Sequence, residues 1–256
     1  VSNSSNSYQP PRFKYQDVID ELEAVAKVAD SLLAPNNAHI IPQTIDALEG
    51  SRLHDGFYNW QLNQPITTRR SEGEHHPGSN GPYDLEGRLC YSWRIKPEKQ
   101  GRKKTPAQSF VVEGNISTRM ELFGKQRAHD AVDERLAAWR FEIGDNVSPG
   151  VFFHSQVSWH IPASVHNSDC DIPRFPCFLM TPGECLDFLL GELFQIEWPK
   201  LQQAHSTDVK RWSASQGYRM SRLLEQSRKV IEASAGVSPW IALKTWKPDD
   251  SGFMLR

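Results

Sequence analysis

Long apolar runs are missing from this chain of 256 residues. The longest candidate, Cys185 to Trp198, is interrupted by Asp187, Glu192 and Gln195. A helix needs ~20 consecutive apolar residues to cross a bilayer, so no membrane partner is expected. The start carries no basic stretch followed by an apolar one, so no secretory leader is read there. Cysteine is scarce, with only Cys90, Cys170, Cys177 and Cys185. Four cysteines do not staple a chain of this size. Buried free thiols and a reducing, cytoplasmic setting are the expectation. A surplus of either charge is lacking as well. The formal net charge of -2 leaves no global basic footprint for nucleic acid.

Several chemical signatures are also absent. The sequence holds no Gly-x4-Gly-Lys-Ser/Thr, no Gly-x-Gly-x-x-Gly after a strand, no Gly-x-Ser-x-Gly and no His-Glu-x-x-His. These absences argue against P-loop nucleotide hydrolysis, dinucleotide redox chemistry, α/β-hydrolase chemistry and zincin proteolysis. No motif points to a particular cofactor.

What is present suffices for a core: 38% hydrophobic residues, including 8 Trp and 12 Phe, against 23% charged. Residues 1–12, rich in Ser, Asn and Pro, read as a flexible tail. Residues 13–256 read as a single α+β domain. A helix is predicted from Tyr15 to Ala34, because Val18, Leu22, Val25, Ala29 and Leu32 share one face. A weaker helix is predicted from Thr44 to Trp60, followed by a polar loop over residues 63–84. Four alternating stretches then suggest an antiparallel meander: Arg88 to Ile95, Phe110 to Leu122, Trp139 to Ile143 and Val151 to Ile161. A short helical linker should join the second of these to the third. Thr181-Pro182-Gly183-Glu184 has the form of a capping box with proline at the first helical position. It opens a helix expected to run to Trp198, before Pro199, and another helix should span Thr207 to Ala235. The expected architecture is an antiparallel sheet of about four strands with helices from both termini packed on one face.

The last of the four stretches is unusual. Val151, Phe153, Val157, Trp159 and Ile161 fall on one side of it, and His154, Gln156, Ser158 and His160 on the other. If the apolar sets of all four strands face the helices, their polar sets form one surface. That surface holds Arg88, Ser92, Arg94, Glu113, Asn115, Arg119, Glu121, Arg140, Glu142, His154, Gln156 and His160. Lysine, the ordinary choice for solvation, is almost absent from it. Arginine and glutamine, which make geometric hydrogen bonds, dominate. His154 and His160 lie about 20 Å apart along a regular strand, at ~3.3 Å per residue, and cannot share one proton or metal. His154 with Gln156 is therefore one unit, and His160 belongs with the loop that follows.

That loop contains His166, Cys170 and Cys177, which with His160 are weak zinc candidates because paired Cys-x2–4-Cys spacing is missing. Its prolines, Pro173 and Pro176, hold Arg174 on a stiff strut suited to an anionic group. The Lys96–Lys104 loop and the late helix carry basic runs that read as solvated faces or as a grip on a nucleic-acid backbone. The functional expectation is an intracellular binding protein that recognises a polar or anionic ligand, a nucleic acid or a protein partner on the polar sheet face. His154, Gln156, Arg174, Arg94, Arg119 and Glu142 are its candidate residues. The alternatives are a histidine-dependent phosphodiester hydrolase using His154 or His160 as acid and base, and a structural subunit.

Overall fold

The computed structural model describes residues 12–35, 37, 40–43, 56–73, 83–97, 109–126, 133–143, 153–159, 174–177 and 180–245. Alternating sequence in the middle of the chain becomes long antiparallel strands: β4 (Tyr83–Pro97), β5 (Ser109–Gln126), β6 (Glu134–Ile143) and β7 (Phe153–Trp159). Two short strands, β2 (Tyr58–Gln61) and β8 (Arg174–Pro176), extend the path to β2-β4-β5-β6-β7-β8. β1 (Arg12–Lys14) pairs with β5, and β3 (Ile66–Thr67) pairs with β4. The expected α+β meander is there, with more strands than the four that alternation revealed.

Several sequence expectations need correction. The helix predicted to reach Trp60 is not helical at its end, because Tyr58–Gln61 pairs with β4. Trp60 stands opposite Trp93 and is fully buried, so a cross-strand aromatic pair outweighs the weak helical period. The rest of that prediction, residues 44–55, lies outside the described residues. The helical linker expected before β6 is strand at both ends, because β5 runs on to Gln126 and β6 begins at Glu134; residues 127–132 lie outside the described residues. The stretch taken as a loop contains β3, and β4 already begins at its end. A further correction concerns Pro199. The capped helix ends at Leu193, and Pro199 sits in the first turn of the next helix, where its missing N–H is not needed.

The described helices include α1 (Tyr15–Val28), α2 (Pro182–Leu193), α3 (Glu197–Ala204), α4 (Ser206–Ala233) and α5 (Pro239–Thr245); α1 and α2 lie against the sheet, α4 packs on α1 and α5 on α4. A 3-10 turn, Asp30–Leu32, closes off α1 short of the expected Ala34. α2 begins with the full capping box: the Thr181 hydroxyl accepts from the Glu184 N–H, and the Glu184 side chain accepts from the Thr181 N–H. α2 lies directly on the sheet at Gly87. A Cβ there would stand 2.7 Å from Leu193 Cδ1 and 2.9 Å from Leu189 Cδ2, so a side chain at this position would have to displace these two buried leucines.

Leu89, Tyr91, Trp93 and Ile95 of β4 point into the core with Ile116 and Met120 of β5. Phe13, Trp60 and Phe110 pack edge-on or stacked around Trp93 and Tyr91, and the Trp93 Nε1–H donates to Thr118 Oγ1 at 2.9 Å. The helical layer has its own polar lock. Glu21 of α1, Glu184 of α2 and Arg219 of α4 meet out of contact with water, with Arg219 Nη2 2.6 Å from Glu21 Oε2 and Arg219 Nε 2.9 Å from Glu184 Oε1. The Thr181 hydroxyl donates to Glu21 Oε1 at 2.6 Å.

Candidate functional site

With Leu89, Tyr91, Trp93 and Ile95 of β4 and Ile116 and Met120 of β5 turned to the core, the period of two sends the alternate set to the other face. Cross-strand register decides which of these become neighbours. One row runs Cys90, Arg119, Arg140, Gln156 and Arg174 across β4 to β8. The next runs Gln61, Ser92, Ser117, Glu142, His154 and Pro176 from β2 to β8. A third brings Arg88, Glu121, Ala138 and Ser158 together. Residues up to 115 positions apart in the chain, such as Gln61 and Pro176, thus share one line.

The row through Arg119 and Arg140 lies between the other two. Arg119 and Arg140 are direct cross-strand partners, and like charges placed opposite one another are unfavourable. Their side chains remain 43% and 38% exposed, so both guanidiniums reach solvent. Arg140 is oriented from below: its Nη2 donates to Gln156 Oε1, and its Nη1 lies 3.8 Å from Glu142 Oε1. His154 Nε2 is 3.6 Å from Glu142 Oε2. The His154 imidazole holds the Glu142 carboxyl below its ordinary pKa, against the opposing effect of burial, and Arg140 adds to the lowering. On the other flank, Glu121 Oε1 lies 3.4 Å from Arg119 Nε and 3.3 Å from Arg135 Nη1.

Over this pair lies a cleft of about 380 Å³. Its floor is Cys90, Ser92, Ser117, Arg119 and Arg140, and its wall is the β2–β3 connection, Gln61 to Pro65. The wall is anchored by the Leu62 N–H, which donates to the Tyr91 carbonyl at 3.1 Å. Asn59 Nδ2 donates to Gln61 Oε1 at 2.8 Å, and the Ser92 hydroxyl donates to Asn59 Oδ1 at 3.3 Å. Amides, hydroxyls and two guanidiniums therefore converge on one cavity, whose size falls in the ~300–1,000 Å³ range of small-molecule sites. Burial raises the Cys90 thiol above its ordinary pKa, with Arg119 working in the opposite direction.

Comparison with family models, curated proteins and solved structures found no match for this chain. Geometry alone bears on the site.

The sequence-expected residues fall into distinct places. Arg119 lines the cleft. Gln156, Glu142 and His154 stand behind Arg140; His154 and Gln156 are only 3% and 5% exposed and do not reach the cleft. Arg94 projects near the sheet edge, its guanidinium 4.2 Å from the centre of the Phe57 ring, outside the cleft lining. Arg174 pairs with Gln156 in register. His160, His166 and Cys170 lie outside the described residues. Cys177 is described, and burial pushes its thiol up to about 12, far from a metal-binding thiolate. Among the described residues, no group of three or more His, Cys, Asp or Glu side chains is arranged to hold a metal. No helix among them is long and apolar enough to cross a membrane.

Gln61, Asn63 and Gln64, the amides of the wall, escaped the sequence reading. A signal was available. Tyr58-Asn59-Trp60-Gln61-Leu62 alternates strictly, and Asn63-Gln64-Pro65 is a turn composition. Arg140 was placed on the polar face, but only the register shows that it stands opposite Arg119.

Proposed function

We propose that this protein binds a polar, anionic ligand on the outer face of its sheet, with Arg119 and Arg140 as the contacting cations. The supporting observation is the direct opposition of these two half-exposed arginines beneath a walled cleft. Two guanidiniums held side by side repel each other unless something negative joins them, and each offers forked donors to a carboxylate or phosphate. Gln156 and Glu142 fix Arg140 from behind, and His154 fixes Glu142, which keeps the donor geometry ready before the ligand arrives. The free thiols of Cys90, Cys177 and Cys185 suit a reducing, intracellular setting. A hydrolase using His154 gains nothing from this geometry, since the enclosed imidazole faces Glu142 and is not part of the cleft lining.

The test is thermal unfolding with sulfate, phosphate and citrate in turn, on the wild-type chain and on an Arg119→Gln/Arg140→Gln variant. Wild-type protein should gain Tm with at least one of these anions at constant ionic strength, and the variant should not. Equal shifts in both proteins would sink the proposal.

A further inference from the structure

Away from the sheet face, we infer that α4 and α5 form an arm docked through the lock of Glu21, Glu184 and Arg219, and that loss of a proton from this lock lets the arm open while the sheet stays folded. Two features carry this: how little else holds α4, and how the lock is built.

Of the 28 residues of α4, only Trp212, Arg219 and Leu223 are buried. α2 buries eight of its 12. The apolar residues that ordinarily anchor an amphipathic helix point the other way in α4, where Tyr218, Met220, Leu224 and Ile231 are exposed. α5 packs on α4 and itself leaves Trp240 and Ile241 exposed. At the rim, Lys27 of α1 meets Asp208 of α4 at 3.2 Å, but the lysine is exposed and such a pair holds weakly. Trp212 stacks on Trp198 of α3. A segment with so few buried contacts opens at lower free energy than the core. The helices beneath it are fixed more firmly. At Gly183 a Cβ would stand 2.9 Å from Glu21 Cγ and 3.2 Å from the Leu22 nitrogen, so α1 lies tight against the start of α2.

In the lock, the Thr181 hydroxyl and Arg219 Nη2 donate to the two oxygens of Glu21, and the Thr181 N–H and Arg219 Nε to those of Glu184. Arg219 Nη1 donates to Ser215 Oγ at 2.7 Å. Every carboxylate oxygen therefore has a donor, but one cation serves two carboxylates, and all three charged groups are buried. Ionised together they leave one negative charge out of water, which a single proton balances. Burial pushes the Glu184 carboxyl up to about 7, with Arg219 drawing it down and Glu21 pushing it further up. The groups around the lock are few. Burial raises the neighbouring Cys185 thiol and keeps it protonated. Asp187 of α2 accepts from Trp198 Nε1 and Gln202 Nε2, and burial raises its carboxyl too. Arg222 lies three residues beyond Arg219 on α4. Once the arm opens, Glu184 meets water and returns toward its ordinary 4.5. The docked state then holds a proton that the open state does not. Docking is strongest below pH ~4.5 and weakens as pH rises through 7, and the opening constant should grow about tenfold between pH 6 and 8.

The experiment is hydrogen exchange of the full chain at pH 6 and 8, read by mass spectrometry and divided by the intrinsic chemical rates. Peptides from α4 should lose about tenfold in protection between the two, and peptides from β4 and β5 should change less than twofold. Glu184→Gln should hold α4 protection within twofold across the same interval. Glu21→Gln should do the same, since either change leaves one carboxylate for one guanidinium, and it stands in if Glu184→Gln fails to fold. Asp187→Asn should keep the tenfold response. Wild-type α4 protection that is equal at both pH values would overturn the inference, as would a loss shared equally by β4 and β5. So would a tenfold response surviving in a folded Glu184→Gln or Glu21→Gln chain, or one abolished by Asp187→Asn.

Discussion

Substituting Glu184 by Gln should change stability by an amount that depends on pH in a direction opposite to ordinary acid unfolding. Glu184 is enclosed between α1, α2 and α4, where two carboxylates share the single guanidinium of Arg219. Burial pushes its carboxyl up to about 7; Arg219 draws it down and Glu21 pushes it further up. Burial likewise works against the charge on Arg219, but the two carboxylates outweigh it and raise its pKa. A carboxyl that titrates near 7 when folded and near 4.5 when unfolded binds its proton about 300-fold more tightly in the native chain, equal to about 3 kcal/mol. The native state holds this proton throughout that window, while the unfolded state does not. The stability it brings is complete below pH ~4.5 and lost as pH rises through 7. Glutamine cannot titrate, so the penalty of Glu184→Gln should be largest near pH 5. It should shrink by up to about 3 kcal/mol by pH 8. Any fixed loss from rearranged cap hydrogen bonds cancels in this comparison. Urea unfolding followed by tryptophan fluorescence at pH 5, 6, 7 and 8 measures it, provided that the slope against urea stays the same in both proteins. A wild-type-to-variant difference that is flat across the series, or that grows toward pH 8, refutes the shared-guanidinium account.

Four further outcomes can be checked with the same instruments. Arg219→Met leaves Glu21 and Glu184 buried together without their cation and should cost about 3–5 kcal/mol at pH 8, less at pH 5 where a proton replaces the lost charge. Gly87→Ala forces α2 away from β4 and should destabilise by about 1–3 kcal/mol in urea. Glu142→Gln should weaken the acid limb: the lowered carboxyl contributes stability above its unfolded pKa and loses it as pH falls through the folded value, so wild type and variant should converge in acid. Leu224→Glu, at a side chain 68% exposed on α4, should shift stability by less than about 0.5 kcal/mol.

The elements that the sequence made legible are those whose signal is local. The Thr181 capping box needs only four consecutive residues, and the observed helix begins where they stand. The faces of β4 to β7 follow from alternation alone, and for that reason Arg88 and Ser92 of β4, Arg119 and Glu121 of β5, Arg140 and Glu142 of β6, and His154 and Gln156 of β7 do line up across the sheet; Arg94 falls at a register shift, and His160 lies outside the described residues. What stayed hidden depends on partners distant in the chain. β2 is four residues long and its core-facing Trp60 owes its strand conformation to Trp93, 33 positions later. The break at Leu193 to Glu197 is set by tertiary packing of Trp198, whose ring stacks on Trp212 and whose Nε1–H donates to Asp187 Oδ1 at 2.9 Å. Periodicity could say that His154 and Gln156 leave the core side. It could not say that they would themselves be covered and serve as props for Arg140.

Arginine has two opposite roles in this molecule, and only neighbours three-dimensionally assigned to it tell them apart. Arg219 lies in a helical run rich in basic residues that resembles a solvated or nucleic-acid-binding face. In the fold it turns inward to two carboxylates, so it adds nothing to a surface potential. Arg119 and Arg140 look, in sequence, like routine members of charged alternating strands with glutamates two places away. In the fold, each glutamate is shared with a second basic group, Arg135 beside Glu121 and His154 beside Glu142. That sharing spreads each carboxylate over two basic groups at the point where register sets the arginines opposite one another. A count of basic residues would rank the helix above the sheet as an anion-binding surface. Partner by partner the two differ: Arg219 is enclosed between two carboxylates, whereas Arg119 and Arg140 keep 43% and 38% of their side chains exposed beneath the Gln61–Pro65 wall.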